Sequence, residues 1–397
     1  PWLVPRFIPR FGVAMASLNL LLRAARELPG GDQTALTMTR GLPHNVTTRM
    51  DLALWAAAQA IREDPPSLEL MREAGARALA DQFLANQLPA AAQQAIGAFL
   101  GQYGMRGVGE IDLGRPRWRE HPEPIMEVLQ SYLQIEESEQ APDAVFARGA
   151  AAAREAVGQL AAEAQKTRGG WFKARRVRWI ARRMRALAGL RESPKFWAVR
   201  VMGLVRAALL DSGGKLAEAG ILERADDLFF LRFAELSALA AGDERDWRGL
   251  VSQRREAYAR EERRSQIPRL LLSDGQAFYE GVSAPGEAAD GVLVGSPVSP
   301  GTVEGQVRIV LDPHEAQLAP GEILVCPGTD PAWTPLFLAA GGLVMEVGGL
   351  MTHGSVVARE YGIPAVVGVT QACQRLSTGQ RVRVDGTAGR VTIMDED

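Results

Sequence analysis

His353 is the side chain whose surroundings in this sequence best suit chemistry. It stands in the run Gly349-Leu350-Met351-Thr352-His353-Gly354-Ser355-Val356, where a glycine-rich turn leads into a short amphipathic helix. A helix start leaves backbone N–H groups without intrahelical partners, expected here at Gly354, Ser355 and Val356, and those groups favour an anion. Thr352 falls where an N-cap would, and Gly349 and Gly354 are expected to leave room for a phosphate to approach the backbone. Neutral imidazole is a good nucleophile near pH 7, and the phosphoramidate it forms is labile enough to pass its phosphoryl group onward. A phosphoryl relay at His353, with Thr352, Gly354 and Ser355 binding the phosphate, is the chemistry this pattern suits. The plainer alternative is a structural histidine at a helix start. The Tyr361–Val367 stretch that follows reads as a helix stop and then a buried strand.

A second candidate pair is Arg191 and Lys195, spaced so that both project from one helix face. Pro194 suits only a first turn, which places the helix start near Ser193. Both cations can still converge on one transferring phosphoryl group, Arg as a planar fork and Lys as a point charge; otherwise they are a solvated basic pair. The loop Tyr103–Leu113 carries three glycines and several charges, and offers Met105, Arg106 and Glu110 as substrate-binding candidates. Glu110 and Asp112 either position a substrate hydroxyl or pair with Arg106 or Arg115. His44 reads as a loop residue making local hydrogen bonds, and His121 and His314 as surface positions. The four histidines lack metal-site spacing, so no metal is expected on the chain.

These residues need elements to hold them. Apolar residues recur at helical spacing over Met50–Ile61, Leu68–Leu84, Ala90–Tyr103, Ile125–Glu136, Ala144–Gln165 and Phe196–Ala219. The loop at Thr39–Asn45 feeds the first of these, with Thr47 or Thr48 as the expected cap. Near residue 290 the pattern changes. Short β-rich runs follow at Val303–Leu311, Glu322–Cys326, Gly342–Met345, Ala365–Val367, Arg381–Val384 and Arg390–Met394, with helices near Ala332–Ala339 and His353–Tyr361. The expected architecture is a mainly α-helical domain over 1–289 followed by a small α/β domain over 290–397, joined by a Gly/Pro-containing linker.

Composition limits the function classes. A net charge of −2 gives no global attraction to nucleic acid or to an anionic membrane, and neither is an expected partner. Lys166–Arg191 nonetheless holds ten basic residues and no acidic one, interleaved with Trp171, Phe172 and Trp179. The expectation is a helix that buries its aromatic face and shows arginines to solvent or to an acidic neighbour. Cys326 and Cys373 are too few for a disulfide framework and suit a reducing cytoplasm.

The segment from about Gly291 to Met394, with its Thr352-His353-Gly354-Ser355 core and the upstream Gly328-Thr329-Asp330-Pro331-Ala332-Trp333, resembles the phosphohistidine swivelling domain of pyruvate phosphate dikinases, phosphoenolpyruvate synthases and rifampin phosphotransferases. Thr39–Trp55, Tyr103–Trp118, Arg191–Phe196 and Asp226–Leu231 look like the helical substrate domain of the last group. The resemblance implies that His353 is charged from ATP, with its Mg2+, by an ATP-grasp domain or subunit, for which no stretch of this sequence is long enough. The sequence also leaves no room for a phosphoenolpyruvate-binding barrel, so pyruvate is not the expected acceptor. It implies that Arg191 and Lys195 lie by the transfer site and that the acceptor is a hydroxyl of a small organic molecule. The expected acceptor is a rifamycin-type antibiotic; the alternatives are a biosynthetic hydroxyl activated for elimination, or a non-catalytic phosphocarrier. The start at Pro1 fits either a fragment of a longer enzyme or a stand-alone subunit.

Overall fold

The computed structural model describes residues 3–26, 31–135, 141–263, 268, 270–278, 291–313, 318–329, 333–350 and 352–394. Twelve helices come first among the described residues: α1 (Leu3–Arg26), α2 (Gly31–Thr37), α3 (Val46–Arg62), α4 (Pro65–Glu73), α5 (Ala76–Leu84), α6 (Ala90–Tyr103), α7 (Glu123–Leu133), α8 (Pro142–Gln165), α9 (Gly170–Ala188), α10 (Ser193–Glu218), α11 (Phe233–Ala240) and α12 (Trp247–Glu262). Short 3-10 turns span Gly189–Glu192 and Ala225–Phe230, and a small hairpin joins β1 (Leu270–Leu271) to β2 (Ala277–Phe278). The expected domain boundary near 290 falls on residues 279–290, outside the described residues.

Each helix that holds the site follows from its pattern. In α3, Met50, Leu54, Ala58 and Ile61 recur three or four apart, and all are buried against Ile96 of α6 and Leu129 and Tyr132 of α7. Its cap is Asn45, whose side-chain oxygen accepts from the Thr47 N–H at 3.0 Å; neither Thr47 nor Thr48 caps it, because both already lie in the first turn. A second core joins Leu21 of α1, Leu160 of α8 and Ile180 and Met184 of α9. As expected, α10 starts at Ser193 with Pro194 in its first turn. The expectation for α9 is overturned: its buried face is aliphatic, formed by Ala174, Val177, Ile180 and Met184. Trp171, Phe172 and Trp179 lie on the exposed face, where Arg175 and Arg183 stack over the indoles of Trp171 and Trp179.

The remaining chain builds one eight-stranded sheet from β3 (Val292–Val294), β4 (Ser296–Ser299), β5 (Thr302–Ile309), β6 (Ile323–Cys326), β7 (Gly342–Met345), β8 (Ala365–Val367), β9 (Arg381–Asp385) and β10 (Arg390–Ile393). The strand order is β3-β10-β9-β5-β6-β7-β8-β4. The centre, β5 to β8, is parallel, with Val325 opposite Val344 and Val344 opposite Val366. Strands buried on both faces read as unbroken apolar runs, which is why β6, β7 and β8 are legible in the sequence. Their alternate residues feed two cores: Leu324, Leu343 and Ala365 on one face, Ile323, Val344 and Val366 on the other. β3 and β4 are interrupted by Gly295 and Pro297 and carry no such signal.

Two more helices cover the first face, α13 (Thr334–Ala339) and α14 (His353–Tyr361), and α15 (Ala372–Arg375) lies against the other. Gly362 ends α14 in the left-handed region (φ 72°), and the Ile363 N–H donates back to the Ala358 carbonyl at 2.8 Å. Gly354 seats the front of the helix on its own domain. A Cβ there would fall 2.4 Å from Thr329 Oγ1 and 2.8 Å from Met345 Sδ, so the space it leaves is filled by protein, not held open for a phosphate. Gly354→Ala is therefore expected to destabilise the protein by about 1–3 kcal/mol, as overpacking does. Reversible thermal or denaturant unfolding measures it, and Gly349→Ala, at an open position, is the matched control.

Candidate active site

Thr352 occupies the N-cap of α14 with extended backbone (φ −71°, ψ 161°), but its hydroxyl caps nothing. It donates to the Gly349 carbonyl at 2.9 Å and lies 3.0 Å from the Ser355 hydroxyl. The Val356 N–H is spent on the Thr352 carbonyl at 3.1 Å, so the expectation of a free amide there is corrected. His353, Gly354 and Ser355 head the helix, where no residue four positions back offers a helical carbonyl. Ser355 is fully buried and Gly354 packed, which leaves His353 as the part of this turn that reaches outward.

His353 faces the helical domain. Its Nε2 is buried without a hydrogen-bond partner at the face between the two domains. Burial, and then the positive charges of Arg106, Lys195 and Arg191, depress its pKa to about 3. The ring is neutral at physiological pH in this arrangement, the form that acts as a nucleophile. Arg191 and Lys195 thus converge on His353 from the helical side, although the Pro194 between them puts Arg191 in the 3-10 turn and Lys195 in α10.

The loop candidates take a different place from the expected one. Arg106 and Glu110 are almost fully buried, paired through Nε–Oε2 and Nη2–Oε1 contacts of 3.1 Å each. Glu110 Oε1 also lies 2.9 Å from Lys195 Nζ, and its carboxyl is held below the usual range by those two cations despite burial. Arg106, Glu110 and Lys195 all lie outside the walls of the cleft beside His353, and the Glu110 carboxylate ties the other two together. Met105 is half-buried and lodges against Gly203 of α10, where a Cβ would fall 2.5 Å from its sulfur. Of the two open alternatives for Glu110, pairing with Arg106 is the one found; Arg115 instead pairs with Glu262. His44 is exposed with a positive φ of 65°, His121 is exposed, and His314 lies outside the described residues. Among the described residues no group of acidic, histidine and cysteine side chains could hold a metal ion, and no helix is long and apolar enough to cross a membrane.

Arg191 and His353 are joined at the site by residues that carry no functional signal in the sequence, among them Asp51, Phe146, Glu192 and Glu360. A cleft beside His353 is walled by Thr47 and Asp51 of α3, Phe146 of α8, Arg191, Glu192 and Glu360. Glu360, near the end of α14, reaches across to the helical domain and accepts from the Gly41 and Leu42 N–H groups, at 2.5 and 3.3 Å. Arg185 of α9 prepares that loop by donating to the carbonyls of Met38, Arg40 and Gly41 at 2.7–2.8 Å. The loop has no slack. A Cβ on Gly41 (φ 53°) would meet the Ala150 nitrogen at 2.4 Å, and one on Gly189 the Pro43 carbonyl oxygen at 2.0 Å. Arg359 anchors α14 in its own domain through the Val298 and Leu350 carbonyls, at 2.8 and 2.6 Å.

The Glu360 contact is thus expected to hold the two domains in register. Glu360→Ala leaves two buried amides without an acceptor, a loss of about 1–3 kcal/mol each if water does not replace it. The expected outcome is faster proteolysis between the domains and a larger radius by small-angle scattering, with the circular dichroism of the helices unchanged.

Comparison with known proteins agrees with this geometry. Residues 6–192 match the family model described as the rifampicin phosphotransferase fourth domain, and residues 318–389 match that of the PEP-utilising enzyme mobile domain. A rifampicin phosphotransferase of Streptomyces sviceus is 41% identical over 93% of this chain and 42% of its own length. One from Bacillus subtilis is 36% identical over 92% and 42%. The prodigiosin synthesizing transferase PigC of Serratia marcescens is 26% identical over 98% and 43%. The chain therefore spans about two fifths of the length of the curated relatives it matches. The chain thus carries a rifampicin phosphotransferase fourth domain followed by a PEP-utilising enzyme mobile domain, and over most of its length it is similar to rifampicin phosphotransferases.

Proposed function

We propose that this chain is the carrier and acceptor portion of a phosphotransferase in which His353 takes a phosphoryl group originating from ATP and hands it to a hydroxyl of a small organic molecule, a rifamycin-type antibiotic first among candidates. The observation that carries the reading is the His353 Nε2, neutral and unpartnered, set toward three cations at the domain face. A phosphoryl group on that nitrogen would bring negative charge to Arg191, Lys195 and the buried Arg106, whose positions Glu192 and Glu110 already fix. Preorganised charge of this kind stabilises the developing charge of transfer without reorganisation. ATP and Mg2+ would be handled by an ATP-grasp domain or subunit, with AMP and inorganic phosphate released there. The α/β domain would then carry the group to the helices. The names of the relatives supply the acceptor class, and the match to a prodigiosin synthesizing transferase keeps a biosynthetic hydroxyl as the second reading.

The test mixes this chain with an ATP-grasp partner, ATP labelled in its β-phosphoryl group, and rifampicin. Label is expected first on the protein and then on the drug, and on neither with His353→Ala. Lys195→Met is expected to accept label yet pass it on about 100-fold more slowly or worse, the usual scale for losing one preorganised donor. Label that reaches the protein and never the drug excludes the antibiotic reading. Because the pKa of His353 is lowered rather than raised, protonation of the ring removes the nucleophile only in strong acid, toward pH 3, and no loss from this group is expected between pH 5 and 8.

A further inference from the structure

The reading above leaves one chemical demand unanswered: a hydroxyl that attacks phosphorus must lose its proton. We infer that Asp51 is the group that takes it, with Tyr132 as its positioning residue and Thr47 as a contact for the incoming oxygen. The inference rests on the proposed transfer from His353.

Asp51 and Thr47 lie one turn apart on α3 and share a wall of the cleft that His353 also lines. Thr47 is 4% exposed and its hydroxyl oxygen is buried without a hydrogen-bond partner, an unmet polar group inside the cleft. The Asp51 carboxyl is 6% exposed and takes the hydrogen bond of the Tyr132 hydroxyl, delivered from α7, where Tyr132 itself is fully buried against the Trp55 edge. The other carboxyls around the site are committed. Glu110 holds Arg106 and Lys195, Glu192 pairs with Arg191, and Glu360 accepts two amides. Asp51 alone among them is bound by a neutral phenol, which leaves it free to gain and lose a proton. The charged and titratable groups facing it across the cleft are Arg191 and Glu192 from the 3-10 turn and His353, Glu360 and Tyr361 from α14; α8 offers only apolar Val145 and Phe146. Burial without a cation lifts the Asp51 pKa to about 7, near the value that serves a general base best.

In the step itself a lone pair of the acceptor oxygen forms the O–P bond and the P–N bond breaks, its electron pair returning to the imidazole. The hydroxyl proton passes to the Asp51 carboxylate and from there to the ring nitrogen that phosphorus has left. The ring ends neutral and Asp51 ionised, as each began.

The test loads the chain with phosphoramidate, a small donor that phosphorylates histidine, removes the excess and adds rifampicin, following transfer per loaded chain. Wild-type transfer is expected to fall about tenfold per pH unit below pH 7 as Asp51 protonates. Asp51→Asn is expected to transfer at least about 100-fold more slowly at pH 8 with that acidic limb gone. It should also be at least as resistant to denaturant at pH 8 as wild type, since it removes a buried charge, whereas a purely structural Asp51 predicts a weaker protein. Should Asp51→Asn fail to fold, Tyr132→Phe decides: loss of the phenol hydrogen bond, which lowers the Asp51 pKa, must move the limb to higher pH. Equal transfer by Asp51→Asn and wild type, or an unmoved limb in Tyr132→Phe, overturns the role of Asp51 alone. A loaded wild type that never transfers overturns the acceptor reading, and this inference with it.

Discussion

The arrangement depends on a single carboxylate crossing between two folding units. Glu360 belongs to the α/β domain by sequence and to the helical domain by hydrogen bonding, and its acceptors' partners, the amides of Gly41 and Leu42, sit in a loop that Arg185 has already fixed. Burial raises the proton affinity of that carboxyl while the two amides lower it, so the contact has a desolvation cost offset only by good geometry. Two turns of α14 separate Glu360 from His353, and a rigid helix passes the register of one to the other. What Glu360 positions, His353 uses.

Around the imidazole the chain concentrates positive charge and pairs each cation with a carboxylate. Arg106 is neutralised by Glu110, Arg191 by Glu192, and Lys195 shares Glu110, so no cation is bare. Burial first, and this local positive charge second, hold the His353 pKa well below the usual range in a near-neutral molecule. Arg117 extends the support a layer further by donating to the backbone carbonyls of Glu110 and Asp112, at 2.9 and 3.1 Å. The loop Tyr103–Leu113 is thus a frame for Lys195.

Much of this was legible in the sequence because its signals are local. The parallel strands announce themselves as apolar runs, the start of α10 through Ser193 and Pro194, and the His353 turn through its glycines. What escaped depends on contacts distant along the chain. Asp51 and Tyr132 are 81 positions apart, and Glu360 and Gly41 are 319 apart. No periodicity ties them together. Asp51 also hides in an otherwise ordinary helical pattern, and only the buried position of its carboxyl, in a helix with Met50 and Leu54 beside it, marks it as unusual. Arg106 and Glu110 form the pair that the sequence offers as one of two alternatives, but their near-complete burial carries no local signal in a glycine-rich loop. The aromatics of α9 erred the other way, since alanine and β-branched residues filled the interior face and left the indoles outside.

Each face of the eight-stranded sheet has its own hydrocarbon core, complete within the α/β domain. It meets the helices through both kinds of contact: Glu360 accepts the Gly41 and Leu42 amides, and Leu350 packs against apolar residues of both units. Parting the two units would wet those amides and that carboxylate, groups water serves well, while each face of the sheet keeps its own core. Neither core of the sheet need open for the units to part, so separation is not a partial unfolding of the α/β domain.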